Sequence, residues 1–319
     1  MAIRLGLIGA GRAGRMHVDG LAAFPDVKIA AVCDTDRARA EAVALPFGAS
    51  AHINFRTLLE AERLDAVVVC LPPNSRGEPE CAAARAGIHL LVEPPVALTA
   101  EKARLIQKEV EKAGVVAVAA YPGRCYSGTE GARELLKERR IALVRAVHMA
   151  PPPEGWRRRR EAAGGQFLLE ATDLIDLARH LAGEMSTVAA VQFEGILAAR
   201  LADYAIEDAL TAVVRFRGGA VGEFVSSCLS PQSEHGLTIL ADGMQLVLTE
   251  KSLEVVESGR RTILEHTGSP IQAMHQSFLE AVKGGRPRPA LASFADAVRS
   301  LEAALAAHEA AASGRVVSL

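Results

Sequence analysis

The sequence predicts an α/β protein of two parts: an N-terminal domain built on a doubly wound parallel sheet, and a C-terminal α+β domain with a large open mixed or antiparallel sheet. Three observations carry this. Short runs that are apolar on both faces alternate with helical segments through the first 120 residues, as in a parallel sheet covered on both sides. A GxGxxG follows directly on the first of those runs. After Tyr121 the alternation ends, and strands follow one another through short GG or DG turns. The predicted boundary gives domains of 1–121 and 122–319.

In chain order, the first-domain strands are IRLGLI (3–8), VKIAAVC (27–33), a weak run at 50–52, DAVVVCL (65–71), IHLLV (88–92) and VVAVAA (115–120). Helices are expected at 12–23, 36–44, 55–62, 78–86 and 100–112. Thr99 is suited to cap the last, and Gly87 and Gly114 fall where helix-ending glycines belong. In the second domain a helix at 129–139 leads into a strand at 141–150, then a Pro/Arg-rich loop (150–165) and a long helix at 167–182. Six further strands lie between Val188 and Glu265, and helices at 270–283 and 293–312 close the chain. The final alanine-rich helix is amphipathic, which predicts that it packs back toward the first domain.

With 319 residues and 50% hydrophobic content the chain can bury a large core. A net charge of -2 gives no electrostatic case for nucleic acid, and 4% aromatic content gives no base-stacking platform. The five cysteines (33, 70, 81, 125 and 228) form no CxxC pair, and two lie inside apolar runs, the pattern of a reduced, cytoplasmic protein. No stretch is long enough for a signal peptide or a membrane span. Histidines and cysteines show no metal-ligand spacing, and there is no GxSxG.

The chemistry-bearing residues begin with Gly9-Ala10-Gly11-Arg12-Ala13-Gly14, placed between a strand and a helix. The first glycine permits a tight turn, the second lets backbone approach a pyrophosphate, and the third lets helix and strand pack closely. N–H groups at the helix start then bind phosphate. Asp34 ends the second strand 20 residues after Gly14, where a carboxylate accepts from adenosine ribose hydroxyls; the alternative is that it only caps the next helix. A carboxylate there repels a 2′-phosphate and favours NAD, while Arg37, three residues on, leaves NADP possible. Strand exits at Leu71, Pro72 and Asn74, and at Glu93 and Pro94, lie on the sheet edge where such folds bind ligands. Their Pro-Pro pairs are either walls for a nicotinamide or simple strand terminators.

On the helix of GGQFLLEATDLIDLARHLAGE, Asp173, Asp176 and His180 share a narrow arc opposite the apolar side. Spacing alone fits an ordinary solvated face. The need of a dehydrogenase for a proton acceptor makes Asp173 the candidate base, with Asp176 as its neighbour. Trp156 and the arginines at 157–160 are either an anion clamp or a solvated, mobile loop.

Taken in order and spacing, GLIGAGRAGRMH, VCDTDRARAEA, LDAVVVCLPPNS, AGIHLLVEPPVALT, GGQFLLEATDLIDLARHLAGE and EDALTAVVRFRGGAVGEF resemble the Gfo/Idh/MocA family of NAD(P)-dependent oxidoreductases over essentially the full length. The resemblance implies an N-terminal Rossmann domain and a C-terminal domain whose open sheet mediates homodimer or homotetramer contacts. Its implied substrates are sugars, inositols, sugar nucleotides and related polyols. The chain also departs from the pattern. The family's Glu-Lys-Pro is Glu93-Pro94-Pro95, its histidine after the proline turn is Arg76, and its histidine three residues before an aspartate is Asp173, with Asp176 matching that aspartate.

An aspartate, with a reference pKa of about 3.9, is a poor base in water, and burial raises it. With no charge at Pro94, electrostatic help is expected from Arg76, Arg124 or arginines 157–160, and Arg76, Arg124 and Trp156 are the candidate substrate contacts. The reading is hydride transfer between nicotinamide and a carbinol carbon of a sugar-like molecule. The alternatives are a catalytically silent dinucleotide-binding member and an NAD-assisted lyase or hydrolase.

Overall fold

The computed structural model describes residues 2–285 and 290–319. The chain divides into two compact units, residues 1–120 with 271–298 and residues 121–270 with 299–319.

The first unit has strands β1 (Ile3–Ile8), β2 (Val27–Cys33), β3 (Ser50–His52), β4 (Ala66–Val69), β5 (His89–Val92) and β6 (Ala117–Ala119). Helices α1 (Arg12–Ala22), α2 (Arg37–Ala44), α3 (Phe55–Ala61), α4 (Glu78–Arg85) and α5 (Ala100–Ala113) alternate with them. The six strands pair in parallel in the order β6-β5-β4-β1-β2-β3. Strand order therefore reverses beside β1, the point at which doubly wound sheets bind ligands. Leu5, Leu7, Val67, Val68, Leu90 and Leu91 are all inaccessible to solvent, the two-sided burial expected of a parallel sheet. Local chemistry sets the helix starts: side chains of Asp36, Asn54 and Thr99 accept from Arg39, Arg56 and Lys102 backbone N–H groups.

The second unit has α6 (Thr129–Leu136), β7 (Ile141–Met149), the short α7 (Arg160–Ala163) and the long α8 (Gln166–Ala182). Strands β8 (Met185–Phe193), β9 (Ala209–Phe216), β10 (Val221–Ser227), β11 (Glu234–Ala241), β12 (Met244–Thr249), β13 (Ser252–Glu257) and β14 (Arg260–Glu265) follow. Their order is β14-β13-β12-β11-β7-β10-β9-β8, antiparallel except for the parallel β7–β10 pair. Helix α8 lies against β7 and β10. Alternation gives the sheet two faces. On β9, Leu210, Ala212, Val214 and Phe216 are buried, while Val213 between them is exposed. Val191, Phe193, Val213 and Val221 leave the outer face 41–71% exposed at apolar positions.

The chain ends with α9 (Pro270–Val282), β15 (Ala292–Ser293), α10 (Phe294–Ser313) and β16 (Val317–Ser318). β15 pairs antiparallel with β6 and β16 with β8, giving sheets of seven and nine strands. Among the described residues no helix is long and apolar enough to cross a membrane. The Pro/Arg-rich segment is not the plain loop expected: it forms a 3-10 turn at Gly155–Arg158 and then α7.

Candidate active site

The glycine turn shows in its own geometry why it needs glycine. Gly9 has φ +97, and a Cβ there would lie 2.3 Å from the Cys70 carbonyl oxygen. A Cβ on Gly14 would lie 2.0 Å from the Gly9 carbonyl oxygen, so only glycine lets α1 approach the turn this closely. Gly11 is different: a Cβ there meets nothing within 4 Å. It is the N-cap of α1, and no side chain caps that helix. Open space therefore faces an uncapped helix start, the cradle that a pyrophosphate fits. Around it Ala10 is buried, Ala13 half-buried and Arg12 exposed.

Asp34 is 9% exposed and braces this turn. Its Oδ2 accepts from Ala10 N–H at 2.9 Å and its Oδ1 from Asp36 N–H at 2.9 Å. Capping of α2 falls to Asp36, which leaves Asp34 beside the turn. The cation next to it is Arg39, with Nη1 at 3.4 Å, whereas Arg37 turns along its helix to Glu41 at 3.5 Å. The cation expected at 37 thus stands two positions further on, because residue 37 is N1 of α2 and residue 39 is N3.

At the ends of β4 and β5, Leu71, Pro72, Glu93 and Pro94 are half-buried and Asn74 is exposed. Arg76 corrects the expectation of a substrate contact. It is 3% exposed, and its Nη1 and Nη2 donate to the carbonyls of Val69 at 2.8 Å and Glu93 at 2.6 Å. Glu80 Oε1 lies 3.4 Å from Nη1 as counter-charge. Arg76 therefore clamps two strand ends. The Glu93 carboxylate meets His17 Nε2 at 2.9 Å, and His17 Nδ1 meets His275 Nε2 at 2.8 Å. Burial, helped by His17, takes His275 down to about 3, so it is neutral. His17, Cys70 and Glu93 each place a ligand-type atom within 4.8 Å of the others. Burial, then the Glu93 charge, pushes the Cys70 thiol well up, so it stays protonated beside the hydrogen-bonded Glu93–His17–His275 line.

In the second unit the two α8 aspartates part company. Asp176 is wholly buried and takes a bidentate pair from Arg124, Nε to Oδ2 at 2.6 Å and Nη2 to Oδ1 at 2.7 Å. Ser300 Oγ also donates to it at 3.2 Å. The expectations for Asp176 as a catalytic group and Arg124 as a substrate contact are both corrected here, since each satisfies the other away from solvent. Asp173, three residues earlier, keeps a side chain 39% exposed. Trp156 is half-buried in the 3-10 turn. The neighbouring arginines are engaged within the unit: Arg157 with Glu170, Arg158 with the Pro153 carbonyl, and Arg160 with Glu194.

Sequence reasoning missed two histidines. His148 on β7 and His235 on β11 are directly opposed in the antiparallel register. Alternation puts them in line with buried Val144 and Ala146, and with Leu237 and Ile239, on the face that α8 covers. Their Nδ1 atoms are 3.2 Å apart, with rings at 87°. His235 Nε2 lies 3.1 Å from Asp173 Oδ2, and His148 Nε2 lies 3.9 Å from Glu170 Oε2. Burial acts to lower His235, but the hydrogen bond and charge of Asp173, with Glu250 and Glu170 behind, raise it above its ordinary value. Burial wins at His148, which is lowered. No sequence spacing joins residues 148, 173 and 235; the β7–β11 register pairs the two histidines, and the packing of α8 on that face brings Asp173 to them.

Residues 3–121 match the family described as the oxidoreductase family, NAD-binding Rossmann fold, and residues 130–254 match the GFO/IDH/MocA C-terminal domain. The chain is 27% identical to the 1,5-anhydro-D-fructose reductase of Ensifer adhaerens, over 99% of this chain and 98% of that protein. It is 29% identical to the D-glucoside 3-dehydrogenase of Escherichia coli strain K12, over 69% of this chain and 68% of that protein. A solved levoglucosan dehydrogenase in complex with NADH and levoglucosan shares the fold, with a TM-score of 0.88 at 24% identity, covering 100% of this chain and 99% of that one.

Proposed function

The chain belongs to the Gfo/Idh/MocA family of NAD-binding oxidoreductases, and from that membership we propose that it moves hydride between nicotinamide and a carbinol carbon of a sugar, polyol or related hydroxylated molecule. The observation that carries the reading is the open space at Gly11, set before an uncapped helix and braced by Asp34. Relatives named for anhydrofructose, glucoside and inositol point to sugar-like substrates. Bound NAD supplies the hydride acceptor. The turn at residues 9–14 holds its pyrophosphate, Asp34 accepts from its ribose hydroxyls, and Asp173 takes the proton of the substrate hydroxyl. Asp34 favours NAD, and Arg39 is the group that would tolerate a 2′-phosphate. The test is titration with NAD and NADP, followed by absorbance at the reduced-nicotinamide band across a panel of sugars, inositols and polyols. Failure to bind either dinucleotide would sink the proposal.

A second reading, a silent dinucleotide-binding member, is favoured by one observation. Pro94 puts no ammonium where the family has lysine, and Arg76 is committed to strand carbonyls. It predicts NAD binding with no reduction across the panel. We further infer a reduced, cytoplasmic setting from five free cysteines, and a homo-oligomer joined through the apolar outer face of the nine-stranded sheet.

A further inference from the structure

Two imidazoles stand where strand alternation calls for apolar side chains. A sheet face under a helix is ordinarily filled by residues such as Val144, Ala146, Leu237 and Ile239. His148 and His235 continue those two stripes as a polar pair, and such burial is unfavourable unless every nitrogen is bonded. Here one is not. His148 Nε2 is sealed from solvent and has no hydrogen-bond partner among the described residues. The pair is therefore not explained as packing.

Exposure and contact give the group a direction. Side-chain exposure is 39% at Asp173, 16% at His235 and 15% at His148. The carboxylate is the open end, and the imidazoles stand behind it in sequence. His235 Nε2 faces Asp173 Oδ2 at 3.1 Å, and His235 Nδ1 faces His148 Nδ1 at 3.2 Å. Beyond His148 the line stops, since Glu170 Oε2 is 3.9 Å away and Arg157 holds that carboxylate. A proton entering at Asp173 can be shared inward but has no exit at the far end.

We propose that Asp173 and His235 together are the proton acceptor of the oxidation: Asp173 is the catalytic residue, and His235 is the positioning residue that aims its carboxylate and shares the proton. This rests on the oxidoreductase reading above. In the oxidation the substrate C–H bond breaks and its electron pair leaves with the hydrogen to oxidised nicotinamide. The O–H electron pair becomes the second bond of the new carbonyl, and the proton ends on the Asp173–His235 pair. Reduction runs the same steps backward, with the pair as donor. The imidazole that the family carries on α8 is thus supplied from β11, with the order of carboxylate and imidazole reversed. The groups that face His235 are Asp173 and Glu170 on α8, His148 on β7 and Glu250 after β12, and the three carboxylates favour its protonated form. His148, lowered by burial, is its neutral acceptor.

The test has one arm without cofactor and one with it. In the first, histidine ring signals of the unloaded protein are followed by NMR against pH, in wild type and Asp173→Asn. Asp173 is half-exposed on a helix, so the variant keeps the fold. The expected result is that His235 titrates above an ordinary histidine in wild type and lower in the variant, where burial is opposed only by the charges of Glu250 and Glu170. Unchanged titration would overturn the pairing. In the second arm, kcat and KM for the best substrate of the panel are measured against pH in wild type, Asp173→Asn and His235→Gln. Both variants are expected to lose about 100-fold or more in kcat, with KM and NAD affinity retained. The wild-type inflection should coincide with the His235 titration and vanish in His235→Gln. An active wild type whose His235→Gln variant keeps both kcat and inflection removes the pair and leaves the oxidoreductase reading standing. A wild type that binds NAD and turns nothing over removes that reading, and the role of the pair with it.

Discussion

Arg124 and Asp176 meet as a two-point ion pair, with contacts of 2.6 and 2.7 Å, and Asp176 is entirely out of water. Arg179 stands a further 3.8 Å from the same carboxylate. Removing one partner of such a pair strands the other charge, at a cost of about 3–5 kcal/mol. Asp176→Asn is therefore expected to lower the thermal midpoint sharply, with denaturant unfolding reporting a loss of that size. A variant as stable as wild type would show that the pair is dispensable.

Gly11 and Gly14 separate binding from folding. Gly11→Ala adds a methyl to open space, so the melting temperature should stay within a degree or two, while NAD affinity falls about tenfold or more as the methyl meets the pyrophosphate. Gly14→Ala drives a Cβ into the Gly9 carbonyl oxygen and should lose stability and binding together. Calorimetry on both variants checks the contrast.

Asp34 and Arg39 set the balance of cofactors. Asp34→Ser removes the charge that repels a 2′-phosphate and leaves Arg39, 3.4 Å from that carboxylate, able to pair with it. The ratio of NADP to NAD affinity should rise, and adding Arg39→Ala should reverse the rise. Fluorescence titration of both reduced cofactors measures it.

Glu207 links α8 to pH. Its Oε1 accepts from Phe167 N–H at 2.9 Å and from His308 Nε2 at 2.8 Å. Burial pushes this carboxyl up, but the His308 bond and charge and the backbone N–H groups outweigh it and hold it below its ordinary range. A carboxylate depressed in the folded state contributes stability above its unfolded pKa of about 4.3, and that stability disappears as pH falls through the folded value. Wild type should lose stability between pH 5 and the acid limit more steeply than Glu207→Gln, as urea midpoints will show. Parallel curves would assign the acid sensitivity elsewhere.

The proposed homo-oligomer can be tested on the outer sheet face. Val191 and Val213 are 71% and 56% exposed on neighbouring strands. Glutamate at both positions should leave the fold intact and shift light-scattering mass to that of a single chain. A wild type already at single-chain mass would remove the proposed homo-oligomer, and a larger mass unchanged by the substitutions would remove this face as its interface.

Much of the fold was legible because it is local. The runs 3–8 and 27–33 are strands at the predicted bounds, and Thr99 caps α5 as its position suggests. β15 and β16 were not legible, since two-residue strands have no periodicity and exist only through pairing with β6 and β8. β14, the outermost strand, is polar and largely exposed, and it showed no apolar run. The glycine turn could be read because two close approaches, at Gly9 and Gly14, and the open space at Gly11 sit in a fixed spacing. Asp176 and Arg124 could not be told from solvated charges, because burial of a charge depends on a partner 52 residues away. His235 was invisible for the same reason, 62 positions from Asp173 and beside it only because α8 packs on the face that β11 shares.

The grip of Arg76 on the Val69 and Glu93 carbonyls has a consequence for redesign. The corner at the ends of β4 and β5 is stapled by side-chain donors, and neither carbonyl they hold belongs to residue 94. Position 94 is therefore an exchangeable socket: a scaffold already fixed around it can take a new functional head without being rebuilt. Pro94→Lys is the natural first insertion, and the staple is what makes it a change of chemistry instead of a change of fold.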